Sequence, residues 1–201
     1  MRKSLKIILI IVLIAVALVG GYFGYLQIIK NKTSKTIETM FTAIKSGDEN
    51  QIKEYIDIED AIDDNEEESE GAEMESIMLK NLNYEIESMD VKFNECTANL
   101  KVTNKDLKTV FQNYMTKAIS LAFSQAINST SDEELESELK KYFEEQYDSD
   151  SIETIETRIP VTMKRESGKW KISCDENALV DAILPGYREI IDYLNSFNSE
   201  E

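Results

Sequence analysis

The chain reads as an α+β protein: a curved antiparallel sheet packed on helices, preceded by one N-terminal transmembrane helix. Three observations predict it. An uncharged apolar run occupies the extreme N-terminus. Two later stretches switch from helical spacing to period-two alternation over hairpin lengths. Amphipathic segments with helix-capping residues flank each of them. The order is anchor, αα, ββ, αα, ββ, αα, which suits helices laid over one face of an antiparallel sheet.

From Ile7 to Ile29 there is no charge, and every residue from Ile7 to Leu18 is apolar. At about 1.5 Å of rise per residue, such a helix covers the roughly 30 Å hydrocarbon core of a bilayer. Tyr22, Phe23 and Tyr25 cluster toward one end, as amphipathic rings do in the headgroup zone. Arg2, Lys3 and Lys6 precede the run and favour a cytoplasmic N-terminus, against the weaker pull of Lys30, Lys32 and Lys35. Residues 1–6 thus read as a cytoplasmic leader, 7–29 as a transmembrane anchor, and 34–201 as an extracytoplasmic domain. A cleavable signal peptide is the competing reading, since Ala15-Val16-Ala17 has the small-x-small form. Cleavage there would leave the apolar run to Ile29 on the mature chain, and no cysteine follows for lipid attachment.

In the domain, Ile37, Met40, Phe41 and Ile44 make one stripe of a helix starting near Ser34. Ser46-Gly47 stops it, and Asp48 with Gln51 forms a capping-box pattern for a second helix burying Ile52, Tyr55 and Ile56. Residues 57–75 are a dense acidic stretch, read as a solvated loop. Its spacing does not fit the glycine-centred calcium loop of EF-hands. A short helix spans Met74 to Leu82.

Tyr84 and Ile86 then alternate with glutamates, while Met89, Val91 and Phe93 continue on the opposite parity. The slip at Ser88 predicts a β-bulge. After a turn at Asn94-Glu95, Cys96, Ala98, Leu100 and Val102 face inward on the returning strand. A long helix opens at Asn104. Its stripes, Leu107, Val110, Phe111, Tyr114, Ala118 and Leu121, and then Met115, Ile119, Phe123 and Ala126, predict burial over much of its circumference. Ser131 and Glu134 cap a helix burying Leu135, Leu139, Tyr142 and Phe143.

Alternation returns through Ile155, Thr157, Ile159, Val161 and Met163, with Pro160 marking an edge or a bulge. "ESGK" (166–169) is the turn to Trp170, Ile172 and Cys174, all of inward parity. Asp175 caps a short helix carrying Leu179, Ala182 and Ile183, ended by Pro185-Gly186. A last amphipathic helix, 187–197, carries Tyr187, Ile190, Ile191, Leu194 and Phe197, and packing on its own sheet is the expected use of that face.

The stretches "FTAIKSGDENQIKEYI", "LNYEIESMDVKFNECTANLKVTNKDL", "IPVTMKRESGKWKIS" and "ENALVDAIL" carry a resemblance. The domain resembles the cystatin-like cone of the nuclear-transport-factor-2-like superfamily, and within it the lipoprotein-like envelope domains of unknown function from Gram-positive bacteria. The resemblance implies a sheet wrapped around the long helices, in a secreted or membrane-tethered protein without an assigned activity. Fold does not transfer function across such a superfamily.

The formal net charge is −17, yet residues 1–32 hold five basic residues and no acid. The 17 basic and 39 acidic residues that remain give −22. Coulomb repulsion from phosphates disfavours nucleic acid as a partner. With no histidine, histidine-based nucleophile activation and metal ligation are excluded. No metal site, cofactor or nucleotide-phosphate loop is predicted.

Cys96 and Cys174 invite a disulfide in an extracytoplasmic domain. With four strands in sequence order, however, they fall at opposite ends of their strands and read as free thiols. An enzyme of the ketosteroid-isomerase type needs a carboxylate inside the sheet, and the inward positions Tyr84, Met89, Ala98, Leu100, Val161, Met163, Trp170 and Ile172 include none. The expectation is a protein without enzymatic activity, a membrane-anchored binding or assembly module for an envelope protein or peptide. The alternative is a small apolar-ligand binder or enzyme using the interior, contacted by Tyr84, Tyr114 and Trp170. Trp170 shares parity with Ile172 and reads as core rather than as a binding platform.

Overall fold

A computed structural model describes residues 2–56, 70–128 and 131–198, with side chains from residue 17 onward apart from a few at element ends. It is an α+β fold with one four-stranded antiparallel sheet in the order β1-β2-β3-β4. The strands are β1 (Asn83–Val91), β2 (Glu95–Lys105), β3 (Thr154–Glu166) and β4 (Lys169–Ser173). Seven helices accompany it among the described residues: α1 (Arg2–Ser46), α2 (Glu49–Tyr55), α3 (Glu70–Leu79), α4 (Leu107–Asn128), α5 (Asp132–Tyr147), α6 (Glu176–Ile183) and α7 (Tyr187–Asn198).

The first helix does not restart near Ser34. It runs unbroken from the N-terminal apolar segment into the domain. Four threonines that could compete for backbone groups satisfy themselves within it. Thr33, Thr36, Thr39 and Thr42 donate to the carbonyls four residues back, at 2.8–3.1 Å, so none breaks the helix. Among the described residues no helix is long and apolar enough to cross a membrane. Most of the Ile7–Leu18 run, on which the anchor expectation rests, lies outside the described side chains, and so does most of the acidic loop 57–75 with its calcium question.

Helix α1 ends at Gly47, whose φ of 63° lets Asp48 N–H reach the Ala43 carbonyl at 3.0 Å. The Asp48 carboxylate then accepts from Gln51 N–H at 3.0 Å. The reciprocal half of the expected capping box is pre-empted, because the Asp48 N–H already serves α1.

The β1 bulge falls where the alternation slips, between Ile86 and Ser88. It turns Tyr84, Ile86, Met89 and Val91 toward one face. The β3–β4 turn uses Ser167 (φ 49°) and Gly168 (φ 89°), the two left-handed residues of a tight hairpin. Pro160 is paired with Asn99 of β2, while β4 reaches along β3 only to Thr162. The ring therefore sits where the other flank of β3 has no strand partner, the locally edge-like place that proline requires.

One sheet face is solvated, with Lys101–Glu85 at 2.7 Å and Arg158–Glu87 at 2.9 Å. The other buries Ala98, Leu100, Val102, Ile159, Val161, Met163, Trp170 and Ile172. What covers it is α1, through Ile29, Ile37, Met40, Phe41 and Ile44, together with Leu179 and Ala182 of α6. The long helices α4 and α5 do not. They gather a second core around Leu107, Val110, Phe143, Tyr147 and Ile152, with Ile77 of α3 and Ile190 of α7. Helix α7 correspondingly packs in this second core and not on the sheet. The expectation of a sheet wrapped around α4 and α5 is corrected: their apolar faces meet one another before they can meet the strands.

One strand end and one helix also shift. β2 continues through Lys105, so Asn104 is a strand residue and not a helix opener. Asp106 caps α4 instead, accepting from Lys108 N–H at 3.1 Å and the Thr109 hydroxyl at 2.5 Å. The third helix lies earlier than expected and stops at Leu79.

Candidate functional site

The sheet–helix interior offers little room. Phe41 stacks on Tyr84 with ring centroids 4.2 Å apart and planes 13° from parallel, and the other inward side chains are buried against one another. Trp170 is buried as part of this core. It also borders a shallow cleft of about 300 Å³ with Lys32, Lys35, Tyr55 and the Lys169–Glu54 ion pair. Tyr114 is elsewhere, edge-on to Phe143 at 5.8 Å in the second core. Of the three residues expected to contact one interior ligand, Tyr84 and Trp170 therefore share the sheet core and Tyr114 stands apart. Their parity was legible, but Tyr114 sits on a helix that never enters the sheet's concavity.

The larger concavities lie beside α4. Between α3, α4 and α5 is a cleft of about 680 Å³ lined by Met74, Ile77, Tyr114, Leu135 and Leu139, with Glu73, Glu136 and Lys140 among its polar residues. Lys140 pairs with Glu73 there. Between α4 and α7 is a groove of about 430 Å³ lined by Phe111, Met115, Ile119, Ile190 and Tyr193, with Lys108 and Glu189 among its polar residues. Phe123 and Ile119 on α4 are 71 % and 54 % exposed.

This reverses the expectation that the second stripe of α4 is buried. Leu107 and Val110 on the first stripe are core, whereas Ile119 and Phe123 on the second face solvent. The α5 face is similar: Phe143 is buried, while Leu135, Leu139 and Tyr142 are only half-buried. On α7, Ile190 is buried but Tyr187 and Leu194 are exposed. The Phe197 and Ala126 side chains lie outside the described residues. An apolar circumference wider than one contact can cover is the signal that pointed to this face.

Burial pushes both cysteine thiols up, assisted at Cys174 by Asp175 and Glu176, the direction opposite to nucleophile activation. Burial also raises the Tyr84 and Tyr147 hydroxyls. Both cysteines are free, though not for want of a shared level. Cys96 is in register with Met163, and Met163 with Ile172, so the thiols lie toward the same end of the sheet. Two strand spacings, roughly 9–10 Å, keep them apart. Among the described residues no group of acidic or cysteine side chains could hold a metal ion.

Comparison with family models, with curated proteins and with solved structures gives no match.

Proposed function

We propose that the chain is a single-pass membrane protein, with its N-terminus in the cytoplasm and its α+β domain outside the cell membrane. The domain acts as a non-enzymatic binding or assembly module of the envelope. The anchor lies within residues 7–29, by length and lack of charge, and the cone-like fold of the nuclear-transport-factor-2-like superfamily is the architecture we assign to the domain. The single observation that carries the binding reading is the solvent-facing apolar pair of α4, Ile119 and Phe123, beside half-buried Met115 and the α4–α7 groove. A solvated helix holds such a pair at a cost unless something covers it. The partner is an envelope protein presenting an apolar segment with basic flanks, which suits a domain of this acidity.

A photo-reactive phenylalanine analogue in place of Phe123, in intact cells, yields a discrete adduct that Ile119→Glu abolishes. A folded, membrane-resident chain that gives no adduct, or one insensitive to Ile119→Glu, overturns this reading. A second reading, a small apolar-ligand binder, is favoured by the α3–α4–α5 cleft, whose volume suits such a ligand. Saturable uptake of a fluorescent fatty acid that Leu139→Lys removes would support it over partner docking.

A further inference from the structure

The β1–β2 turn reaches down α1 as far as Tyr25. Phe93 at its tip packs on the Tyr25 ring, with centroids 5.3 Å apart and an interplanar angle of 31°. Ile29, one turn further on, is a buried member of the domain core. The last turns of the apolar N-terminal segment therefore belong to the domain fold, and the domain begins at Tyr25 rather than Ser34. The turn is held by its own backbone: Lys92 N–H donates to the Glu95 carbonyl at 2.8 Å, and Arg165 N–H to the Asn94 carbonyl at 3.3 Å. Even so, Phe93 is 62 % exposed, and Tyr22 and Phe23 on the adjacent turn of α1 are also exposed.

The level of this cluster follows from helix geometry. A hydrocarbon core of roughly 30 Å takes up about 20 helical residues. A run opening at Ile7 therefore leaves the hydrocarbon near Leu26, beside Tyr25 and Phe93. The charge agrees with that level. Lys30, Lys32, Lys92, Lys164 and Arg165 are exposed at this end, against Asp90, Glu95 and Glu166, on a domain that is otherwise strongly acidic.

We propose that the β1–β2 turn is a membrane-contacting element. Phe93, with Tyr22, Phe23 and Tyr25, seats in the headgroup zone of the bilayer that α1 crosses, and the surrounding lysines and Arg165 face anionic lipid headgroups. Aromatic rings of this kind favour that zone, and basic side chains near it are attracted by anionic lipid. The turn then holds the domain at a defined height and tilt against the membrane. This rests on the anchor reading given above.

The test uses the full chain in phosphatidylcholine–phosphatidylglycerol vesicles containing lipids brominated near the headgroup. Phe93→Trp introduces an indole at the turn, Glu156→Trp introduces one at the opposite end of the sheet, and buried Trp170 supplies the same baseline in every sample. The expected result is strong bromine quenching for Phe93→Trp, with Glu156→Trp indistinguishable from the unsubstituted chain. If the chain floats with vesicles and both variants stay at baseline, the turn does not touch lipid, while the anchor stands. If the unsubstituted chain does not float with vesicles, the anchor reading fails and this one with it.

Discussion

The buried side-chain amide of Asn104 donates a 2.7 Å hydrogen bond to the main-chain carbonyl of Ile183. It also donates to the Met78 carbonyl at 2.9 Å, and its own oxygen accepts from Lys105 N–H at 2.8 Å. One side chain at the end of β2 thereby ties α3 and α6 together where the two cores meet. Asn104→Ala leaves two carbonyls without this donor, and the expected loss is about 2–4 kcal/mol in urea unfolding. Asn104→Asp keeps the acceptor and loses both donors, so it should be at least as damaging. An alanine variant as stable as the parent would show that the amide is not the tie.

Tyr147 shows the converse. It is fully buried, and among the described residues its hydroxyl has no hydrogen-bond partner, because the neighbouring Asn104 amide is committed to its two carbonyls. A buried unsatisfied hydroxyl costs about 1–3 kcal/mol. Tyr147→Phe keeps the ring against Phe143 and is expected to raise the melting temperature, with a gain of about 1 kcal/mol. A loss of similar size would show that the hydroxyl is satisfied in solution by an ordered water.

Gly186 joins α6 to α7 with φ of 88°, and a Cβ there would lie 2.6 Å from Lys108 Cβ and 2.9 Å from Lys108 N. Gly168 has nearly the same φ, 89°, but open space around it. Both alanine variants suffer backbone strain of about 1–2 kcal/mol, and only Gly186→Ala adds the collision. Gly186→Ala is therefore the more destabilising in chemical denaturation. Equal losses would mean that α7 moves off α4 without resistance.

Because Ile29 is buried and Tyr25 touches Phe93, a chain shortened to begin at residue 34 loses part of the core. Compared with one beginning at residue 24, it should be less stable by about 2–5 kcal/mol, the cost of emptying a buried isoleucine site. Equal unfolding midpoints would restore the boundary that amphipathic spacing suggests.

The buried Cys96 and half-buried Cys174 thiols set an alkaline limit. In the unfolded chain a thiol ionises near its ordinary value of 9.0, whereas burial holds both folded thiols above their ordinary values. Between the two values the unfolded state sheds protons that the folded state keeps, so stability is complete below about pH 9 and falls as pH rises. Urea midpoints measured between about pH 7 and 10 should drop across that window. The drop should shrink in the Cys96→Ala, Cys174→Ala double variant. An unchanged drop would assign it to Tyr84 and Tyr147.

Local structure was legible wherever a residue's role depends on its immediate neighbours. Ser88 announced the bulge, Asp48, Ser131 and Asp175 announced helix starts, and the parity of Trp170 with Ile172 announced its burial. Asn104 was misread as a helix opener because its three hydrogen bonds include two to residues far away in sequence. The α4 face was misread for a related reason. Spacing shows that Ile119 and Phe123 lie on a second apolar stripe of the helix, but not whether any element reaches it.

The sequence by itself determined the strand and helix types and the inward parity of each strand. These follow from periodicity and short-range capping, which are properties of neighbouring residues. Only the tertiary structure decided the strand order, that α1, and not α4, fills the sheet, that two cores form, and that Tyr114 stands apart from Tyr84 and Trp170. Those outcomes depend on which apolar faces meet first across long stretches of chain. Periodicity marks a face as apolar without naming what covers it.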